Sequence, residues 1–138
     1  MGNIGTGAYD AIAEEHGAQP WLGTIALDSA AFDVEKIMRR RHFAFYDEAF
    51  RDDPAYWRDA SPFHRLSSAP KPMLLVCSSE RRTSCAQAQA FADKASGLGA
   101  RVQVHPVALS HREINAQLGT TGAYTRTVDT FLQSLGLP

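Results

Sequence analysis

The sequence predicts an α/β fold, a three-layer arrangement of a parallel sheet with flanking helices. Three short apolar runs, Trp21–Leu27, Met73–Cys77 and Arg101–Pro106, have the length and composition of strands. Helix-like stretches alternate with them, and strands in such an order pair in parallel. Three strands are fewer than the roughly five or six of an average sheet. We therefore expect part of a larger sheet.

The first half of the chain contains the first strand and a helical region. Gly7–His16 reads as a short helix of small residues that Gly17 closes. Trp21–Leu27 is almost continuously apolar, which predicts a strand buried on both faces. Asp33 is a suitable N-cap for a helix over Val34–Phe50.

The second half begins with a further helix. Asp53 is its expected N-cap, and Pro54 occupies its first position. Ser84 is expected to cap the helix between the second and third strands, which Gly97 and Gly99 end. The last helix is predicted over Gly122–Leu135, after the third strand.

Composition excludes several classes of function. The 138 residues are enough for one domain, and a net charge of −1 gives no basic surface for nucleic acid or anionic lipid. Arg39, Arg40 and Arg41 are the one basic cluster, and acidic neighbours make a solvated helix face the favoured interpretation. Neither a signal-peptide layout nor an apolar run of about 20 residues is present. We expect a cytoplasmic protein without nucleic-acid or membrane partners.

The two cysteines carry no redox or metal pattern. Cys77 falls in a strand and Cys85 in the first turn of a helix, where single cysteines are most often packing groups. No Cys/His spacing is typical of a metal site. The sequence therefore predicts reduced cysteines, no metal and no cofactor.

A short run near the end of the chain, Leu109–Asn115, carries the strongest functional signal. It follows the third strand and begins a helix, which places His111 at the rim of the sheet, and Asn115 is expected to hold this loop through its amide. Glu80 lies in the polar loop after the second strand. An acid and a later histidine at strand ends are two members of a nucleophile, base and acid constellation. The third member would be a nucleophilic serine in a Gly-x-Ser-x-Gly motif, and this motif is absent from the sequence.

Several of these residues together resemble the C-terminal half of α/β-hydrolase esterases, in the carboxylesterase-like group that includes arylformamidases. The resemblance is carried, in order, by Trp57 to Ser61-Pro62, the strand Pro72–Cys77, Gln87 and Phe91, Leu109-Ser110-His111, Ile114-Asn115, Leu118-Gly119 and Tyr124-Thr125. It implies that residues 1–138 are a single domain or fragment of that type with a cap-like helical insert at about 33–62.

By this resemblance His111 is the catalytic histidine, a general base, and Glu80 is the acid that orients it. The family usually has aspartate at the acid position, and Arg81 and Arg82 beside Glu80 leave the alternative that it is a surface ion-pair residue. The implied substrate is a small carboxylic ester or aryl amide. Aromatic residues of the insert could line an acyl pocket, but core packing is the favoured interpretation: Phe43, Phe45, Tyr46, Phe50 and Trp57.

The nucleophile is missing from the position that the resemblance assigns to it. Asn3–Gly7 matches the elbow in length and glycine content, but Gly5 stands where the serine belongs, and the hydroxyl of Thr6 would point away from the histidine. Ser29 also follows a strand but lacks the glycines of an elbow, which favours a strand-end cap. We therefore expect a hydrolase-type chain that is inactive in isolation. The alternative is a non-catalytic pseudo-hydrolase domain that binds a small apolar ligand or a partner chain.

An incomplete sheet leaves a strand edge exposed, and exposed edges pair with other chains. The sequence therefore predicts self-association, as a dimer, or pairing with a missing N-terminal half.

Overall fold

A computed structural model describes residues 10–138 and contains a parallel sheet with helices on both faces. This confirms the predicted α/β class. The elements are α1 (Asp10–Glu15), β1 (Thr24–Leu27), α2 (Val34–Met38), α3 (Ala44–Phe50), α4 (Pro54–Asp59), α5 (Pro62–Arg65), β2 (Met73–Ser78), α6 (Ser84–Gly97), β3 (Val102–Val107), α7 (His111–Gln117) and α8 (Ala123–Gln133).

The sheet has the strand order β1-β2-β3, and both neighbouring pairs are parallel. Val76 in the central strand aligns with Leu27 of β1 and with His105 of β3. Every residue of β2 is buried, whereas β1 is only half-buried. β1 packs on both faces as predicted, with Ala26 against one core and Ile25 and Leu27 against the other, but its side chains are only partly buried. Among the described residues β1 is an edge strand with a neighbour on one side.

Alternate side chains of β2 point to two separate cores, one on each face of the sheet. On one face Leu75 and Cys77 pack with Phe91 of α6. On the other face Leu74 and Val76 pack with residues of α7 and α8: Ile114, Tyr124, Val128 and Phe131. The three layers of the predicted arrangement are therefore present.

The helical region between β1 and β2 has a small core of its own, formed by Val34, Met38 and Trp57. Asp33 caps α2 as predicted, since its carboxylate accepts a hydrogen bond from the Lys36 amide at 3.0 Å. The single helix expected over Val34–Phe50 is instead two helices, α2 and α3.

A buried serine joins the first and third helices of this region. Ser61 Oγ accepts a hydrogen bond from the Val34 amide at 2.8 Å and donates one to the Trp57 carbonyl at 2.6 Å. Asp53 caps α4 as predicted, accepting from the amides of Ala55 and Tyr56. Local caps and one long-range hydroxyl thus fix the helices that stand beside the edge of the sheet.

Cys77 and Cys85 form a disulfide, so the prediction that they are reduced was wrong, whereas both pack in the core as predicted. The loop after β2 folds back on itself, which brings the strand end and the first turn of α6 together with a Cα–Cα distance of 5.0 Å. Disulfides persist in oxidising compartments and are rare in the cytosol, so this bond weighs against the reduced setting expected from the sequence. Within residues 10–138, none of the helices has the length and apolar character to cross a membrane.

Candidate functional site

The carboxyl ends of the three parallel strands bring polar residues to one edge of the sheet. Asp28 follows β1 directly, Ser78 is the last residue of β2, and His111 is the first residue of α7, after β3. Asp28 is fully buried, whereas the His111 side chain is 60% exposed. A buried carboxylate and a solvent-facing imidazole therefore meet at this edge.

His111 and Asp28 are joined by a hydrogen bond of 3.0 Å between Nδ1 and Oδ2. An ionised carboxylate can only accept hydrogen bonds, so the ring donates the proton on Nδ1. In the neutral imidazole the lone pair then lies on Nε2, on the exposed side of the contact. This is the tautomer that a general base needs.

Asp28 is held by hydrogen bonds from the segment Ser78–Ser84 and from His111. Burial alone raises the pKa of Asp28, but hydrogen bonds from the Ser84 hydroxyl, the Ser78 amide at 2.8 Å, Arg81 and His111 outweigh burial and lower its pKa below the ordinary value of 3.8. Asp28 thus stays ionised at neutral pH. The predicted cap role of Ser84 was wrong: Thr83 is the N-cap of α6, and the Ser84 hydroxyl donates to Asp28.

The backbone of Asp28 has a φ of +54°, a conformation that side-chain-bearing residues seldom adopt. The amide of Asp28 nevertheless continues the sheet, donating to the Val76 carbonyl at 2.8 Å. The turn at this residue aims the carboxylate across the ends of β2 and β3 instead of along the strand. Backbone strain of this kind persists where surrounding contacts fix the residue, as the four hydrogen bonds to this carboxylate do.

The start of α7 fixes the position of His111 through a capping box. Ser110 Oγ accepts from the Glu113 amide at 3.3 Å, and Glu113 Oε2 accepts from the Ser110 amide at 2.9 Å. Asn115 Nδ2 donates to the His111 carbonyl at 2.8 Å, which confirms the role predicted for that amide. The loop before the helix is tied to β2 as well, because Ser78 Oγ donates to the Leu109 carbonyl at 2.6 Å.

Glu80, the acid predicted to orient His111, does not contact the histidine. It is exposed in the turn after β2, and among residues 10–138 its side chain has no hydrogen bond or ion pair with His111. Asp28 pairs with the histidine instead. The surface ion pair left open for Glu80 is absent from the described residues too, since Arg81 turns inward and binds Asp28.

The sequence did hold a signal for Asp28, which is a charged residue placed immediately after an apolar run predicted to be a strand. Such positions gather at the carboxyl edge of a parallel sheet, but the contact with His111 spans 83 positions and no local pattern reveals it.

No nucleophile is paired with His111 among residues 10–138. The elbow candidates Asn3–Gly7, including Gly5 and Thr6, lie outside the described residues. Ser29 is close to the site, and its hydroxyl accepts from the Ala31 amide at 3.3 Å, as a turn-forming serine does. Both cysteines are consumed by the disulfide.

An open cleft of about 430 Å³ lies beside the pair, with Asp28, Ser29 and His111 in its wall. Phe43 and Phe45 also line it, and they are 73% and 58% exposed. The prediction that these two aromatic residues pack in the core was wrong, because Phe43, the N-cap of α3, and Phe45, in its first turn, face the cleft. Of the other three predicted aromatic residues, Trp57 is buried, and Tyr46 and Phe50 are partly buried and pack against its core. The described residues contain no group of His, Cys, Asp and Glu that could hold a metal ion.

The chain matches no protein-family model, no curated protein and no solved structure. The paired His111 and Asp28, the cleft beside them and the sheet that positions both are the observations from which a function can be inferred.

Proposed function

We propose that this chain carries the base and the acid of a hydrolase site for small carboxylic esters or aryl amides, in the manner of the α/β-hydrolases that its sequence resembles. His111 is the general base, and Asp28, not Glu80, is the acid that orients it. The observation that carries the proposal is the 3.0 Å hydrogen bond from the exposed imidazole to a fully buried carboxylate.

The arrangement suits proton transfer for two physical reasons. Asp28 fixes the ring in the tautomer whose Nε2 accepts a proton, and its negative charge stabilises the imidazolium that then forms. The cleft in front of His111 provides room for a small substrate, with exposed rings to contact its apolar part.

The nucleophilic hydroxyl of this proposal comes from outside residues 10–138. No hydroxyl or thiol of the described residues bonds to His111, so the described part alone offers only the imidazole itself as an attacking group. We therefore expect slow reaction with activated esters and no turnover of ordinary ones.

The test is hydrolysis of p-nitrophenyl acetate by the purified chain and by His111→Ala. Nε2 of His111 attacks the ester carbonyl, p-nitrophenolate leaves, and water cleaves the acyl-imidazole to acetate and the free ring. His16→Ala is the matched control, because His16 is an exposed histidine outside the cleft.

The proposal predicts that His111→Ala removes most of the protein-dependent rate, while His16→Ala leaves the rate unchanged. Equal rates for the two variants would show that His111 is an ordinary surface imidazole and would contradict the proposal.

A second candidate function is that of a non-catalytic pseudo-hydrolase domain that binds a small apolar ligand. The exposure of Phe43 and Phe45 in the cleft favours it, because solvent-facing aromatic rings beside a concave surface are typical of ligand sites. The fluorescence of Nile red, an apolar dye, tests whether the cleft binds an apolar ligand. Phe43→Ser should weaken dye binding, whereas Ile12→Ser, which changes an exposed apolar residue outside the cleft, should not. Dye binding without His111-dependent hydrolysis would favour this candidate over the first.

We also propose self-association through the sheet edge. Within residues 10–138, β1 has a neighbour on one side only, which leaves backbone groups of its other edge available to another chain. Light scattering should give the mass of a dimer, and a mass of one chain across the accessible concentrations would contradict this proposal.

A further inference from the structure

A second cavity, of about 310 Å³, adjoins the cleft and is lined by cationic side chains. Lys36 of α2 and Arg40 and Arg41 of the following turn form one wall, and Arg81 and Arg82 of the loop after β2 form the other. Among the described side chains, those of residues 11–138, no aspartate or glutamate lines this cavity. The acidic neighbours of the arginine cluster predicted a solvated helix face, but two of its three members, Arg40 and Arg41, line a concave site.

Most of these cations lack a neutralising partner. Arg81 binds the carboxylate of Asp28, whereas the side chains of Lys36, Arg40, Arg41 and Arg82 form no ion pair with any residue in 11–138. Three acids on the neighbouring elements are engaged elsewhere, whereas the exposed Glu48 of α3 and Glu80 of the turn after β2 form no ion pair within residues 11–138 and do not line the cavity. Glu35 pairs with Arg39 at 2.8 Å and with Arg58 at 2.7 Å, Asp33 faces His64, and Asp47 faces His42.

Four unpaired cations around one cavity repel one another, and an anion between them would remove that repulsion. Guanidinium groups bind carboxylate and phosphate oxygens through paired, charge-assisted hydrogen bonds. A single negative charge would leave most of the positive charge uncompensated. The lining therefore suits a ligand with at least two negative charges.

We propose that this cavity binds a small molecule that carries two or more negative charges on phosphate or carboxylate groups. The binding of the anion depends on the cations alone and not on catalysis.

The cavity and the cleft share a wall formed by Ala30, Phe43, Tyr46 and Arg81. A ligand anchored by the arginines would therefore extend past Phe43 and Tyr46 toward His111. This step rests on the proposed function: the hydrolysed substrate would be an ester or amide with a polyanionic end, and the aromatic side chains would contact the segment between the two ends.

The experiment is isothermal titration of the full chain with inorganic phosphate, succinate or acetate at constant ionic strength. Phosphate, succinate or both should bind at least about tenfold more tightly than acetate, since charged hydrogen bonds contribute enough for that ratio. Binding of phosphate alone would identify a phosphate-bearing ligand, and binding of succinate alone a dicarboxylate.

The matched variants come from the arginine cluster itself. The double variant Arg40→Gln/Arg41→Gln should weaken binding by about tenfold or more, because two charge-assisted hydrogen-bond donors are lost. Arg39→Gln removes the same charge from the adjacent position, where the side chain pairs with Glu35 outside the cavity, and should change affinity by less than about twofold. All three positions are exposed, and circular dichroism checks that the fold is retained.

Three results would overturn the proposal. The first is that neither phosphate nor succinate binds, and the second is that acetate binds as tightly as they do. The third is that Arg39→Gln weakens binding as much as Arg40→Gln/Arg41→Gln. Failure of the hydrolase proposal is separable, because His111→Ala should bind these anions as the unaltered chain does. Anion binding without ester hydrolysis would support the anion site and contradict the hydrolase proposal. Ester hydrolysis without anion binding would contradict the anion site and leave the hydrolase proposal intact.

Discussion

Asp28 and His111 are 83 positions apart in the chain, and their side chains meet with Nδ1 of the histidine 3.0 Å from Oδ2 of the aspartate. The loop after β2 completes the arrangement, because Ser78, Arg81 and Ser84 all donate to the same carboxylate. Asp28 therefore links the ends of all three strands. A change at this residue should affect the stability of the sheet edge as well as the orientation of the base.

Replacing Asp28 with alanine should destabilise the protein strongly. The substitution leaves the buried Ser78 amide and the buried Ser84 hydroxyl without their acceptor, and each unsatisfied buried group costs about 1–3 kcal/mol. Glu80→Ala is the matched control, since it removes an exposed acid from the adjoining loop and should change the free energy of unfolding by less than about 0.5 kcal/mol. Urea unfolding measures the free energy of unfolding of both variants. Similar small losses for the two variants would show that Asp28 is not the acid held by this network.

The lowered pKa of Asp28 fixes the direction of one pH effect. Because its pKa lies below the ordinary 3.8 in the folded protein, the carboxylate binds fewer protons folded than unfolded. The contribution of the ionised Asp28 carboxylate to the free energy of unfolding is complete above its ordinary pKa of 3.8. This contribution is lost as the pH falls through the lower pKa of the folded protein.

Urea unfolding of the unaltered chain and of Asp28→Asn, from neutral pH to about pH 3, isolates this contribution. The advantage of the unaltered chain should be constant at neutral and mildly acidic pH and should shrink toward the acid end. An advantage that grows on acidification would contradict the lowered pKa.

Reduction of the Cys77–Cys85 disulfide should lower the free energy of unfolding. The bond closes a short loop, with a separation of 8 positions, and loop-closure entropy for such a length corresponds to about 2–3 kcal/mol. The measurement is urea unfolding with and without a dithiol reductant. A variant with alanine at both positions is the control and should not respond. Equal stability of the unaltered chain with and without reductant, or free thiols in the native protein, would contradict the bond.

Ser61→Ala should loosen the helical region beside the cleft. Loss of the hydroxyl leaves the buried Val34 amide without its acceptor, which costs about 1–3 kcal/mol. Ser96→Ala, an exposed serine of α6, is the control and should be close to neutral. A neutral result for Ser61→Ala in urea unfolding would show that α2 and α4 do not depend on this hydroxyl.

Local patterns in the sequence predicted the local parts of the structure. Asp33 and Asp53 cap the helices expected of them, Asn115 holds the His111 backbone, and each predicted strand has its counterpart in the sheet. These features depend on residues a few positions apart, or on runs of apolar residues.

The parts that the sequence did not predict depend on contacts between distant segments. The partner of His111 was sought in the loop of the neighbouring strand, at Glu80, whereas the strand on the far side of β2 supplies Asp28. The disulfide was missed because it requires the loop after β2 to fold back on α6. The exposure of Phe43 follows from the break between α2 and α3, which apolar spacing alone did not indicate.

The most direct test of the central claim is the rate of p-nitrophenyl acetate hydrolysis by Asp28→Asn and by Glu80→Gln, each checked for its fold by circular dichroism. Both substitutions keep the size of the side chain and remove its charge, so they differ in which carboxylate is lost. If Asp28 orients His111, Asp28→Asn falls to the rate of His111→Ala and Glu80→Gln keeps the rate of the unaltered chain. Loss of the rate in Glu80→Gln, with Asp28→Asn unaffected, would contradict the account.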